Sequence, residues 1–171
     1  MGAGLDGGLI PGPFRNGLPD SRRAFGTVPD AIRFVALGAV RRDDELLVFE
    51  GTDPSTDERF YRLLGGGVEP GEHSREAVVR EFDEELGVEL LEPTLVGTIE
   101  RVFQFDGETG HEVWRVYEGD LDAAWPYERD SFSFVEPELG TEHLARWVAL
   151  DRLRRDDVTF HAEAVLDALT D

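Results

Sequence analysis

The chain has 171 residues and no cysteine, which excludes disulfides, thiolate metal sites and cysteine nucleophiles. Its formal net charge is −20 and all 17 basic residues are arginine, a surface that repels nucleic acid and anionic lipid. The length suits one domain with a substantial core, no apolar run is long enough to span a membrane, and the N-terminus lacks a signal-peptide pattern, so a cytoplasmic protein is the expectation.

Residues 1–30 hold seven glycines and four prolines with no apolar periodicity. They read as a flexible arm, leaving 31–171 as a single domain. Ile32 to Val40 is nearly continuous apolar sequence, as in a strand buried on both faces. A charged turn, Arg41 to Glu45, leads to a second strand over Leu46 to Glu50. A loop of turn-forming residues follows, then a third strand from Phe60 to Leu64. Arg62 on this strand is either a phosphate contact or a surface residue.

From Ser74 to Leu86 the apolar residues Val78, Val79, Phe82 and Leu86 recur at helical spacing, and Gly87 supplies a stop. The acids Glu81, Asp83, Glu84 and Glu85 crowd the C-terminal half of this helix. Like charges three and four residues apart, at the negative end of the helix dipole, each cost up to roughly 1 kcal/mol. A bound hard cation would offset that cost, and magnesium takes carboxylate oxygens and bridges to phosphates. A solvated acidic face is the plainer reading of the acids alone.

Beyond the helix, Leu95 to Phe105 and His111 to Leu121 read as two long strands of a hairpin joined through residues 106–110. Trp114, Tyr117, Phe103 and Phe105 fit core packing better than a base-stacking surface. Residues 122–141 read as a long loop, His143 to Leu150 as a strand, and Phe160 to Leu169 as a terminal packing helix. High salt would screen the self-repulsion of so acidic a surface, and a GC-rich genome would also favour arginine over lysine; both explanations are open.

Spacing makes the acids specific. Gly66 is followed by Glu72, then Arg80 and Glu81, Phe82, Glu84, Glu85, Leu86, Gly87 and Val88. This stretch resembles the Nudix box of the Nudix hydrolases at every fixed position. The resemblance implies an α/β fold, an α/β/α sandwich with a mixed β-sheet. It implies hydrolysis of a small nucleotide substrate, a nucleoside diphosphate linked to another moiety, with Mg²⁺ or in its place Mn²⁺. Glu81, Glu84 and Glu85 match the family's metal-binding carboxylates, Glu72 its fourth acidic position, and Gly66 the carbonyl donor to the metal. Arg80 is expected to orient these acids. Arg62 and Arg101 are the candidate substrate contacts. The general base is open between Glu81 and the later acids Glu136, Glu138 and Glu142. Gly110-His111-Glu112 occurs in related sequences with no clear role. Substrate markers of the better-defined family branches are missing. A homodimer is a further expectation, and no nucleic-acid or membrane partner is expected. The alternative reading is a Nudix domain that binds or senses a nucleotide without turnover. An isoprenoid-diphosphate isomerase of the same fold is disfavoured by the missing cysteine.

Overall fold

The computed structural model describes residues 31–136 and 140–169. The proposed arm over residues 1–30 and the candidate Glu138 lie outside the described residues. Among the described residues nine strands and two α-helices follow in order: β1 (Arg33–Ala39), β2 (Arg41–Arg42), β3 (Glu45–Thr52), β4 (Arg59–Arg62), β5 (Leu64–Gly67), α1 (Ser74–Leu86), β6 (Leu90–Phe105), β7 (Glu108–Leu121), β8 (Ser131–Glu136), β9 (Thr141–Ala149) and α2 (Leu150–Leu153).

One sheet runs β5-β1-β7-β6 and the other β2-β3-β9-β8, with β4 pairing β3. The first sheet is mixed, because β1 lies parallel to β7 and antiparallel to β5. Ile32 and Phe34 at the start of the expected run are exposed, but from Val35 onward β1 shows why the stretch is apolar. Val35, Leu37 and Ala39 enter one core, while Ala36 and Val40 just beyond the strand enter the other. The core of Ala36 and Val40 takes α1 through Ala77, Val78 and Phe82, and the core of Val35, Leu37 and Ala39 takes α2 and the C-terminal segment through Leu153, Val165, Leu166 and Leu169. Side chains alternate across a strand, so a continuous apolar run serves two layers at once.

Helix α1 ends where the sequence places the stop: Gly87 adopts φ 65° and its N–H donates to the Asp83 carbonyl at 2.9 Å. At its start, the Glu76 carboxylate accepts from the His73 N–H at 3.2 Å. Val79 and Leu86 are only partly buried, and Ala77 is buried with Val78 and Phe82.

The structure corrects three expectations. Residues 122–141 are not all loop, since β8 pairs with β9 from Ser131 opposite Arg146 to Glu136 opposite Thr141. The hairpin between β6 and β7 turns in two residues, Asp106 at φ 50° and Gly107 at φ 76°, as the tightest hairpin turns require. Residues 160–169 do not form an α-helix. Phe160 is drawn into a bridge with Tyr61 of β4, whose N–H donates to the Thr159 carbonyl at 2.8 Å and whose carbonyl accepts from His161 at 3.0 Å. The chain then proceeds through tight turns, with a 3₁₀ segment over Glu163–Val165. No helix among the described residues is long and apolar enough to cross a membrane.

Candidate active site

The site is built where the glycines of β5 lie against α1. Gly65 has φ 123°, and a side chain there would run into the Ala36 carbonyl of β1. Its N–H donates to the Glu85 carboxylate. Gly66 faces Glu81 so closely that an added Cβ would lie 2.5 Å from Glu81 Cδ. The Gly67 carbonyl accepts from Arg80 Nη2 at 2.9 Å. Three successive backbone units thus meet Glu85, Glu81 and Arg80, residues four and one apart on the helix.

Arg80 is the organiser of the acids. Its Nε and Nη2 donate to the two oxygens of Glu72 at 2.8 and 3.1 Å, a bidentate pair. Its Nη1 donates to Glu81 Oε1 at 2.9 Å and to Glu84 Oε2 at 3.1 Å. The Arg80 hydrogen bonds hold the Glu72 carboxyl below its usual range, and the acids in turn push the guanidinium pKa up. The like-charge repulsion visible in the sequence is therefore relieved for Glu72, Glu81 and Glu84 by one side chain.

Glu85 is different. Its Oε2 is buried without a hydrogen-bond partner. Burial first, then the charges of Glu81 and Glu136, push its carboxyl well above the usual range, against the opposing pull of Arg62 and the Gly65 N–H. An orphaned buried carboxylate oxygen beside two further carboxylates fits a hard cation, which takes carboxylate oxygens. Among the described residues no three acidic or imidazole side chains converge as ligands of one ion would. Arg80 draws Glu72, Glu81 and Glu84 to itself instead.

The later acids separate cleanly. Glu136 at the end of β8 borders a small cavity together with Glu85, Arg62 and His143. His143 Nε2 lies 3.4 Å from Glu136 Oε2, and its ring is set edge-on against Phe49 at 4.6 Å. Glu142 is exposed and, one residue before His143 on β9, projects from the opposite face. The structure does not bring Glu142 to Glu85.

Arg62 and Arg101 meet in a larger cavity of about 250 Å³ lined by Phe60, Phe103, Trp114 and His161 among others. The Arg62 guanidinium lies 5.2 Å from the Trp114 ring centroid and that of Arg101 4.8 Å. Trp114 Nε1 donates to Glu112 Oε2 at 2.6 Å, and Glu112 is fully buried. That gives the Gly-His-Glu stretch a structural part: Glu112 anchors Trp114, whereas His111 pairs with exposed Glu100 at 2.8 Å. Tyr117 joins the core and shares a hydrogen bond with Ser74, 2.7 Å apart, at the start of α1. His161 was not singled out by the sequence. Nothing local marks it, because the C-terminal segment, β4 and β6 bring it to Arg62 and Arg101.

The NUDIX domain family model matches residues 32–169. The chain belongs to the Nudix family. It is a Nudix hydrolase, and its box runs from the β5 glycines through α1 to buried Val88. It is 31% identical over 112 residues to the CTP pyrophosphohydrolase of Escherichia coli K12, spanning 64% of this chain and 79% of that protein. It also resembles the crystal structure of the MutT NUDIX hydrolase from Burkholderia pseudomallei, with a TM-score of 0.58, 26% identity, and 82% and 99% of the two chains covered. The solution structure of the E. coli ORF135 protein shares the fold, with a TM-score of 0.57 at 20% identity over 81% of this chain and 89% of that one.

Proposed function

We propose that this Nudix hydrolase cleaves the pyrophosphate linkage of a nucleoside diphosphate joined to another group, with Mg²⁺ as its metal and Mn²⁺ as a substitute. The observation that carries this reading is the buried, unpartnered Oε2 of Glu85 beside Glu81 and Glu136. The E. coli relative's name as a CTP pyrophosphohydrolase agrees with the reaction class.

Glu81 and Glu85, with Glu72, Glu84 and the Gly66 carbonyl, are the residues that would hold the ion; bound there it neutralises phosphate oxygens and acidifies a water. Water attacks phosphorus, the bond from that phosphorus to the bridging oxygen breaks, and the bridging oxygen leaves on the other phosphate. Glu136 takes the proton of the attacking water on a carboxylate oxygen, oriented by His143 Nε2 at 3.4 Å. Glu81 is less suited to that role because Arg80 already binds its Oε1 at 2.9 Å. Arg80 positions Glu72, Glu81 and Glu84 and touches no substrate. Arg62, which borders both cavities, binds substrate together with Arg101.

The test is a product-separating screen of nucleotide sugars, dinucleoside polyphosphates, and normal and oxidised nucleoside triphosphates, with and without Mg²⁺ and at low and high salt. Metal-dependent cleavage of one class supports the reading. Nucleotide binding with no turnover under any condition replaces it with a sensing role.

A further inference from the structure

Arg62 is a largely buried charge between the two cavities, and its field reaches Glu85 in the smaller one. It is 9% exposed, its Nε is buried without a partner, and no carboxylate among the described residues forms an ion pair with it. Arg101 has one polar contact, from Nη1 to the His161 carbonyl at 3.3 Å. The two guanidinia come from different strands, β4 and β6, and both lie against the Trp114 ring. A buried charge with nothing to neutralise it is costly unless a ligand completes it.

Glu112 supplies only part of the missing charge. Its Oε2 is held by Trp114 Nε1, and its Oε1 accepts from Arg33 Nη1 at 3.4 Å. Arg33 competes for Glu112, whose single charge also acts on Arg101, so the cavity holds two guanidinia against one shared carboxylate. Burial first, then the Arg62 charge, lowers the pKa of Arg101 against the opposing pull of Glu112, and burial with the two arginine charges lowers that of the His161 imidazole to about 3. Asp53 and Glu58 also border the cavity, but Asp53 accepts from the Ser55 N–H and hydroxyl, Glu58 accepts from Thr159, and both face water, which screens them. On a chain of net charge −20 this is a built exception.

The cavity, about 250 Å³ with Phe60 and Phe103 in its walls, is roomier than a lone water site, and Arg62 lines both it and the smaller cavity of Glu85. We propose that it is a second anion subsite, which takes a phosphomonoester carried on the substrate away from the linkage that is cleaved. A phosphomonoester carries a charge of about −1.5 to −2 near neutral pH, which matches two guanidinia, whereas a carboxylate would leave one uncompensated. The inference rests on the hydrolase reading above and narrows its substrate class.

The experiment compares matched pairs that differ by one phosphomonoester: coenzyme A with dephospho-coenzyme A, and NADPH with NADH, each with Mg²⁺. The expected result is a kcat/KM at least tenfold higher for the phosphorylated member of a pair, carried mainly by KM. In Arg62→Gln and Arg101→Gln the ratio within each pair collapses to within twofold. Equal rates within both pairs overturn the proposal, as does a preference that survives in both variants. Calorimetric titration of the chelator-treated wild type with inorganic phosphate supplies an independent reading that needs neither turnover nor a variant's stability. Saturable one-to-one binding supports the subsite, and no binding contradicts it. If none of the four compounds is cleaved, the hydrolase reading loses these substrates and the phosphate titration alone decides the subsite.

Discussion

Gly66 and the Glu81 carboxylate share one space: a Cβ on Gly66 would lie 2.5 Å from both Cδ and Oε2 of Glu81. The obstruction is the far end of a flexible side chain, so Gly66→Ala can be absorbed by moving Glu81. The fold should survive, with a small change in Tm, while the displaced carboxylate costs about 10²-fold in kcat. Gly65→Ala is the contrast. There φ is 123° and the obstruction is the Ala36 backbone carbonyl, so stability should drop by about 1–3 kcal/mol or more. Denaturant melts and initial rates on the two variants check both halves; a Gly66→Ala protein with full activity would contradict the role given to this contact.

Glu85 makes metal-free stability depend on pH in a direction opposite to that of a paired acid. Its carboxyl is raised well above 4.5 in the folded chain, so the native state keeps a proton that the unfolded chain has released. Its contribution is full below the unfolded value and is lost as pH rises through the folded one. In chelator, Glu85→Gln should gain on the wild type from about pH 4.5 upward, and the gap should level off once Glu85 is ionised in both states. Mg²⁺ should then raise the wild-type Tm and leave the variant far less affected. Parallel pH curves for the two proteins would rule out the burial argument.

Arg80 holds Glu72, Glu81, Glu84 and the Gly67 carbonyl with one planar fork. Lysine keeps the charge but not the fork. Arg80→Gln and Arg80→Lys should therefore both lower kcat by about 10²-fold or more, with little rescue by lysine. Steady-state kinetics decide this, and near wild-type kcat in the lysine variant would show that charge alone suffices.

Glu136 and Glu142 sit on paired strands, with Glu142 opposite Val135, yet only Glu136 borders the space beside Glu85. Glu136→Gln should lose about 10²–10⁴-fold in kcat. Glu142→Gln should stay close to wild type. The reverse ranking in a pH–rate series would move the base to the other face of β9.

The Nudix box could be read from the sequence because its geometry is local. Gly66, Glu72, Arg80, Glu81, Glu84 and Glu85 fall on one short strand, the turn after it and one helix, and on the helix spacing fixes which side chains share a face. Glycine at the C-cap of α1 and the apolar run of β1 were legible for the same reason. Strand β8 was not, because Phe132 and Phe134 alternate inside a stretch rich in turn residues, and only pairing with β9 decides their state. The terminal segment has helical spacing at Ala164, Val165, Ala168 and Leu169, but its anchoring to Tyr61 of β4 prevails, and Ala164 and Ala168 end exposed. Leu90 to Thr94 was missed as part of β6 because the ladder shifts register between Leu91 and Thr94 and again between Leu95 and Gly97. Of the cavity of Arg62, Arg101, Glu112 and His161 the sequence offers the two arginines but not their meeting: four distant segments supply it, and no local pattern marks Glu112 as the anchor of Trp114.

The most direct test of the account is turnover of the best substrate from the screen, measured across a Mg²⁺ titration in wild type and Glu85→Gln, with products separated. The account predicts cleavage at the pyrophosphate linkage that saturates with Mg²⁺, vanishes in chelator, and falls by at least about 10²-fold in kcat in Glu85→Gln. Undiminished turnover in chelator, or a Glu85→Gln enzyme with wild-type kcat and metal dependence, would contradict it.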